Sequence, residues 1–186
     1  MVRYSIYYMT ENVKGGKRKM HDKTQKIVLA ALMAALTCVT TLMVTVPSPL
    51  KGYLNLGDCI VLVTGWILPP GYAFLAAGLG SALADLFAGY PVYAPATFVI
   101  KGGMALIAFV CCWALHHRLG RLTAQLIGGV LAELAMVMGY FLFEGILYGF
   151  APSAVNIPAN AVQGAAGIIV GMILIKILER LRLGRT

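Results

Sequence analysis

Apolar runs long enough to cross a hydrocarbon core recur along this chain, each cut off by proline, glycine or charge, and that recurrence leaves few folds open. A helix rises about 1.5 Å per residue, so a core roughly 30 Å thick takes about 20 apolar residues. Runs of this kind cover about 26–46, ended by Pro47 and Pro49, then 57–68, closed by Pro69 and Pro70, then 71–88, 95–115, 122–149 and 158–181. The second is short, and must tilt little or be shielded by its neighbours. The expected fold is an all-α membrane protein, a bundle of six transmembrane helices over residues 26–182 behind a basic tail at 1–25. Composition points the same way: 60% of the 186 residues are hydrophobic and 12% charged, with a mean hydropathy of +0.82. A soluble domain of that size could not hide so much apolar surface from water.

Lys and Arg outnumber Asp and Glu by 15 to 7. In a soluble protein that balance would point to nucleic acid, but here the basic residues fall between the apolar runs and read as topology signals, so no nucleic-acid partner is expected. They gather in the tail (Arg3, Lys14, Lys17, Arg18, Lys19, Lys23, Lys26), after the fourth run (Arg118, Arg121) and at the C-terminus (Arg180, Arg182, Arg185). Six crossings place all three groups on one side, which the positive-inside rule makes the cytoplasm, so both termini are expected there. The loops at 47–56, 89–95 and 150–157 then face out, with Lys51 as their only basic residue. Trp66 and Trp113 fall near the inner ends of their runs and read as interfacial anchors. The tail has no apolar core and reads as a mobile cytoplasmic segment, not a cleaved signal. Cys38, Cys59, Cys111 and Cys112 lie in or beside apolar runs without CxxC spacing and read as small apolar packers, with neither metal nor other cofactor implied.

An Asp or Lys in hydrocarbon costs about 2.5–3.5 kcal/mol on insertion scales, so each needs a partner or a watery cavity. Asp58 opens the second run, Asp85 lies about a turn from the outer end of the third, Lys101 two turns into the fourth and Glu144 near the outer end of the fifth. Asn156, Asn160 and Gln163 flank the outer start of the sixth, while Glu133 sits near mid-membrane. Polar groups from five runs thus share an outward level, as a pocket opening outward requires. Each also has a structural reading: Asp85 with Lys101 as a helix-linking pair, Asp58 as a first-turn carboxylate offsetting the helix dipole, Glu133 as an interhelical hydrogen bond or a protonated acid. Tyr53, Tyr90, Tyr93 and Tyr148 belong to an aromatic belt, from which one or two could stack on a flat ligand. In the first run, Ala30 and Ala34 lie on one stripe and Ala31 and Ala35 on the next, faces that let another helix approach closely, whether inside the bundle or from a partner.

The motifs LNLGD, GSALADLFAGY and YAPATFVIKG, in that order within 52–108, resemble the S components of energy-coupling factor (ECF) vitamin transporters. The likeness extends to the chain length, the six runs and the basic N-terminus, and is less distinctive in the last two runs. It implies a bundle in which the loop after the first span lids an outward-facing vitamin site, in a prokaryotic plasma membrane. It also implies docking of a shared transmembrane coupling subunit on an Ala-x-x-x-Ala first helix, which Ala30, Ala31, Ala34 and Ala35 fit, and two ATP-binding subunits whose hydrolysis turns the loaded protein inward. The candidate ligand residues are Asn55, Asp58, Asp85, Tyr90, Tyr93, Lys101, Glu133, Glu144, Asn160 and Gln163.

The chain carries no phosphate-binding loop of its own, since GLGSALAD lacks the lysine that would reach a phosphate. Carboxylates Asp58, Asp85 and Glu144 against the single outer-level Lys101 favour a neutral or cationic heterocycle over a polyanion; among the vitamins that the resemblance implies, this leans to a pyridoxine-like, pyrimidine or flavin ligand. A self-sufficient secondary carrier is the rival reading, though its usual inverted repeat is not evident. An intramembrane enzyme has less support: His21, His116 and His117 all lie toward the cytoplasmic side, away from Ser81, and Asp58 with Asp85 lacks an aspartyl-protease context.

Overall fold

The computed structural model describes residues 19–47 and 53–183, with side chains between 23 and 181. Its elements in chain order are α1 (Lys19–Met43), β1 (Thr45–Pro47), β2 (Tyr53–Asn55), α2 (Gly57–Ile67), α3 (Pro70–Phe87), α4 (Ala94–Leu119), α5 (Arg121–Tyr148), α6 (Phe150–Ala154) and α7 (Ile157–Leu183). The six expected apolar runs fall on six of the seven helices among the described residues, all but α6. Four stretches of the described residues, 23–43, 94–119, 121–148 and 150–181, are long and apolar enough to cross a bilayer alone. The remaining two crossings expected from the sequence rest on α2 and α3.

Three boundaries differ from expectation for identifiable reasons. The first helix starts at Lys19, so residues 19–25, assigned to the tail, are helical; residues 1–18 of that tail lie outside the described residues. It also ends at Met43, short of Val46. The β-branched Thr45 and Val46 before Pro47 suit an extended backbone, and they pair antiparallel with β2 in the register Thr45↔Asn55, Val46↔Leu54, Pro47↔Tyr53. Pro49 and Lys51 lie outside the described residues. Finally α6, absent from the sequence reading, is a five-residue helix entered through Gly149 at φ +94°, a backbone state that favours glycine. Pro69, extended at ψ 151°, separates α2 from α3, and Pro70 takes the first helical position, where a missing N–H leaves nothing unsatisfied.

The bundle is built around α2, ten of whose eleven residues are buried. It packs against α7, α4, α1 and α3, so shielding by neighbours is how this short helix is accommodated. Close approach depends on small residues: a Cβ at Gly65 would meet the Ala105 carbonyl oxygen at 2.5 Å, and one at Gly80 would collide with the Ala34 carbonyl of α1. Burial of α2 corrects the reading of Trp66, which is 3% exposed and belongs to the core cluster with Leu62, Met104 and Met136 instead of anchoring at an interface. Trp113, 58% exposed, keeps a position an anchor could use. Leu75, Leu79, Leu83 and Leu86 form an outward apolar stripe along α3, as a lipid-facing helix requires. At the end of the bundle away from the hairpin, Arg121 and Glu179 join α5 to α7 at 3.0 Å.

Candidate functional site

At the hairpin end, a cleft of about 430 Å³, open solvent at its mouth included, is lined by Tyr53, Asn55, Asp85, Tyr90, Tyr93, Thr97, Tyr140, Glu144, Asn160 and Gln163. Six elements or connections contribute: β2, the C-terminal turn of α3, the 88–93 connection, and the hairpin-side turns of α4, α5 and α7.

The upper wall is aromatic. The rings of Tyr53 and Tyr90 lie 5.3 Å apart at 45°, those of Tyr90 and Tyr93 6.3 Å apart edge-on, and Tyr93 meets Phe143 at 5.3 Å. Tyr53 donates its hydroxyl to Asp85 Oδ1 at 2.8 Å. Burial, with the neighbouring Asp85 charge next, pushes the Tyr53 phenol above its usual range and keeps it a donor. On the opposite side the Glu144 carboxylate accepts two bonds from Asn156 Nδ2, at 3.0 and 2.9 Å, and a longer one from the Tyr93 hydroxyl at 3.4 Å.

Beneath the cleft lies a buried polar chain. Gln163 accepts the Asn55 backbone N–H on Oε1 at 2.9 Å and donates from Nε2 to Asp58 Oδ2 at 2.6 Å. The other oxygen of Asp58 pairs with the Lys101 ammonium, and both side chains are almost fully enclosed. Lys101 also stands 5.5 Å from the Tyr140 ring centroid, within cation–π range. The Asn55 side chain accepts the Gly57 N–H at 2.9 Å, satisfying a donor at the start of α2. Hairpin, α2, α4 and α7 are thereby joined through one glutamine and one ion pair.

Of the ten sequence candidates, Asn55, Asp85, Tyr90, Tyr93, Glu144, Asn160 and Gln163 line the cleft. Asp58, Lys101 and Glu133 do not; they lie among buried residues below it. The anticipated pairing of Asp85 with Lys101 is corrected: Lys101 belongs to Asp58, and Asp85 to Tyr53. Asp58 does sit in the first turn of α2 as anticipated, but the ion pair sets its surroundings. Glu133, 5% exposed, lies against Gly164 and Gly167 of α7, with neither carboxylate oxygen hydrogen-bonded to a described residue. Thr97 and Tyr140, bonded to each other at 3.1 Å, were missed. Their signal was spacing, each standing one helical turn before a recognised residue, Lys101 and Glu144.

The alanines of α1 divide. Ala30 and Ala34 pack against the core, Ala34 beside Gly80, whereas Ala31 and Ala35 are exposed.

The family model describing the ECF-type riboflavin transporter S component matches residues 21–180. An uncharacterized protein of Pyrococcus woesei is 37% identical over 134 residues, 72% of this chain and 87% of that protein. The thiamine precursor transporter HmpT of Lactococcus lactis is 27% identical over 158 residues, 84% of this chain and 89% of that one. Among solved structures, the S component of a bacterial ECF transporter superposes with a TM-score of 0.69 at 21% identity, covering 86% of this chain and 98% of that one. That superposition matches the fold.

Proposed function

The chain belongs to the family of ECF-type riboflavin transporter S components, multi-pass cell membrane proteins of vitamin uptake, and from that premise we propose that it captures one small, water-soluble vitamin or vitamin precursor from outside the cell. The family is one of non-catalytic transporter subunits, which bind a vitamin-type substrate and pair with the subunits of an energising module. The observation that carries the proposal is the cleft itself: tyrosine rings for a flat heterocycle beside fixed carboxylate and amide acceptors, with Tyr53 and Asn55 of β2 in its wall. In this reading the hairpin end faces out and both termini face the cytoplasm. Asn55, Asp85, Tyr90, Tyr93, Glu144, Asn160 and Gln163 contact the ligand together with Tyr53, Thr97 and Tyr140, and Asp58, Lys101 and Glu133 support them from below.

Energy comes from partners. We assign the docking face for the transmembrane coupling subunit to Ala31 and Ala35, whose exposure on α1 leaves room for a close helix crossing. The riboflavin of the family description and the thiamine precursor of the Lactococcus relative mark the kind of heterocycle to test first. The decisive experiment is mass spectrometry of the ligand that accompanies the purified protein, followed by its titration in detergent without ATP. Tight binding without ATP, and vesicle uptake only when coupling and ATP-binding subunits are added, is the expected result. Uptake by this chain alone would instead establish a secondary carrier. Ala31→Trp is expected to abolish co-purification with the coupling subunit while sparing ligand affinity; unchanged co-purification would refute that docking face.

A further inference from the structure

Buried polar atoms without a hydrogen bond among the described residues gather along one line below the cleft. Trp66 Nε1, both amide atoms of Gln125 and both carboxylate oxygens of Glu133 are such atoms, on side chains no more than 5% exposed. Gln125, Gly129 and Glu133 follow one another at single-turn spacing on α5. A Cβ at Gly129 would lie 3.6 Å from Trp66 Cζ2, a ring carbon two bonds from the indole nitrogen. Trp66 Cη2 stands equally near a Cβ at Gly171 of α7, and Glu133 lies against Gly164 and Gly167. A seam therefore runs between α2, α5 and α7, with glycines on its α7 side. Gln125 and Glu133 are roughly 12 Å apart along the helix axis, with Trp66 beside the residue midway. Each half is about 6 Å, a gap that one bridging water spans.

The two ends of the seam differ. Toward the cleft it stops at Asp58, Lys101 and Gln163, which bond one another. Away from the hairpin, one turn before Gln125, it reaches Arg121, whose side chain is 33% exposed and whose partner Glu179 is 25% exposed.

Glu133 also lacks a cation of its own. The charged and titratable groups around it are Asp58 and Cys59 on α2 and Lys101 on α4, while α7 presents glycines and the neutral Gln163. Lys101 is taken by Asp58, so an ionised Glu133 would set a second negative charge beside Asp58 in surroundings that screen poorly. The neutral acid avoids that repulsion, but its O–H then needs an acceptor.

We infer that the α2–α5–α7 seam is a hydrated proton path, and that Glu133 is a proton-binding site at its head, exchanging with solvent at the Arg121–Glu179 end. Water meets every unmet need along it, accepting from the Trp66 indole and the Glu133 acid and donating to the Gln125 carbonyl. Gly129 leaves room for it, since the nearest heavy atoms to a Cβ there stand at 3.5–3.7 Å. While Glu133 holds its proton, Lys101 is left to Asp58 and the floor of the cleft stays joined. The site is separate from the cleft and does not depend on what the cleft binds.

The test uses the full chain in detergent at neutral pH, by infrared difference spectroscopy against Glu133→Gln, which keeps the shape of the neutral acid. The carbonyl band of a protonated carboxylic acid is expected in the unaltered protein and missing from Glu133→Gln, and on transfer to D2O it should shift within the mixing time. Gly129→Ala sets a methyl group in the seam beside Trp66 without a close contact, and alanine is the better helix former. That variant should melt no lower than the unaltered protein, yet its deuterium shift should slow roughly 10-fold or more, as expected for one lost hydrogen-bonded link. Gln125→Leu should slow it likewise. Absence of a Glu133 band would overturn the proton site. A band that fails to exchange in the unaltered protein, or an unaltered exchange rate in Gly129→Ala, would overturn the path.

Discussion

Removing the Lys101 ammonium isolates Asp58 at the centre of the protein. Asp58 is 0% exposed and the Lys101 side chain 3% exposed, so neither charge can turn to water when its partner is lost. Breaking a buried pair from one side typically costs about 3–5 kcal/mol, because the remaining charge is uncompensated. Lys101→Met should fall in that range, since Asp58 keeps only the Gln163 amide. Asp58→Asn should cost less, because the ammonium retains the Tyr140 ring at 5.5 Å, an interaction of about 0.5–2 kcal/mol. The double variant removes both charges and should lose well under the sum of the two single losses, leaving a coupling energy of roughly 2–4 kcal/mol. At about 2–4 °C per kcal/mol for a chain of this size, Lys101→Met alone would lower the melting temperature by roughly 6–20 °C, and adding Asp58→Asn would recover a large part of that loss. The assay is thermal unfolding of the four proteins in one detergent, followed by tryptophan emission. Strictly additive losses would refute the argument that these charges exist for each other.

Three further outcomes follow from the packing and the hydrogen bonds. Gly167→Val would place a Cβ 2.8 Å from the Asp58 Cβ and 3.0 Å from Glu133 Oε1, and should destabilise by about 1–3 kcal/mol in chemical unfolding titrations. Asn156→Ala strips Glu144 of both amide contacts; loss of charge-assisted bonds costs about 1.5–3 kcal/mol, and ligand affinity measured by calorimetry should fall with it. Gln163→Leu leaves the Asn55 N–H without its acceptor, so amide hydrogen exchange at 53–57 should accelerate in the free protein while exchange along α4 stays unchanged.

What the sequence disclosed follows from which physical signals are local. Hydropathy and the prolines at 47, 69 and 70 located the long helices to within a few residues, except at Lys19, where a polar first turn looks like tail. Depth was also legible, because a residue's distance from the end of an apolar run is its depth in the bilayer; Asp85, Glu144, Asn160 and Gln163 reached the cleft for that reason. Facing direction was not. Lys101 and Asp85 share a level, yet helix rotation turns Lys101 toward α2 and Asp58. Trp66 looked interfacial because nothing in a single sequence reports that α2 is surrounded. The hairpin was hidden by its own residues, since Thr45 and Val46 continue the apolar run and only their pairing with β2 makes them a strand. Ala30 and Ala34 separate from Ala31 and Ala35 only once Gly80 is known to lie opposite Ala34.

The enclosure of α2 also bears on how the protein is made. Eleven residues rise roughly 16 Å, about half the depth of a hydrocarbon core. Lipid alone therefore offers this helix a poor resting place when it leaves the ribosome, the more so because Asp58 stands in its first turn. Three of the neighbours that enclose it, α3, α4 and α7, come later in the chain, and α7, which brings Gln163 to Asp58, is the last of them. The centre of the bundle is thus synthesised before most of what encloses it, and its core cannot close until α7 has been made.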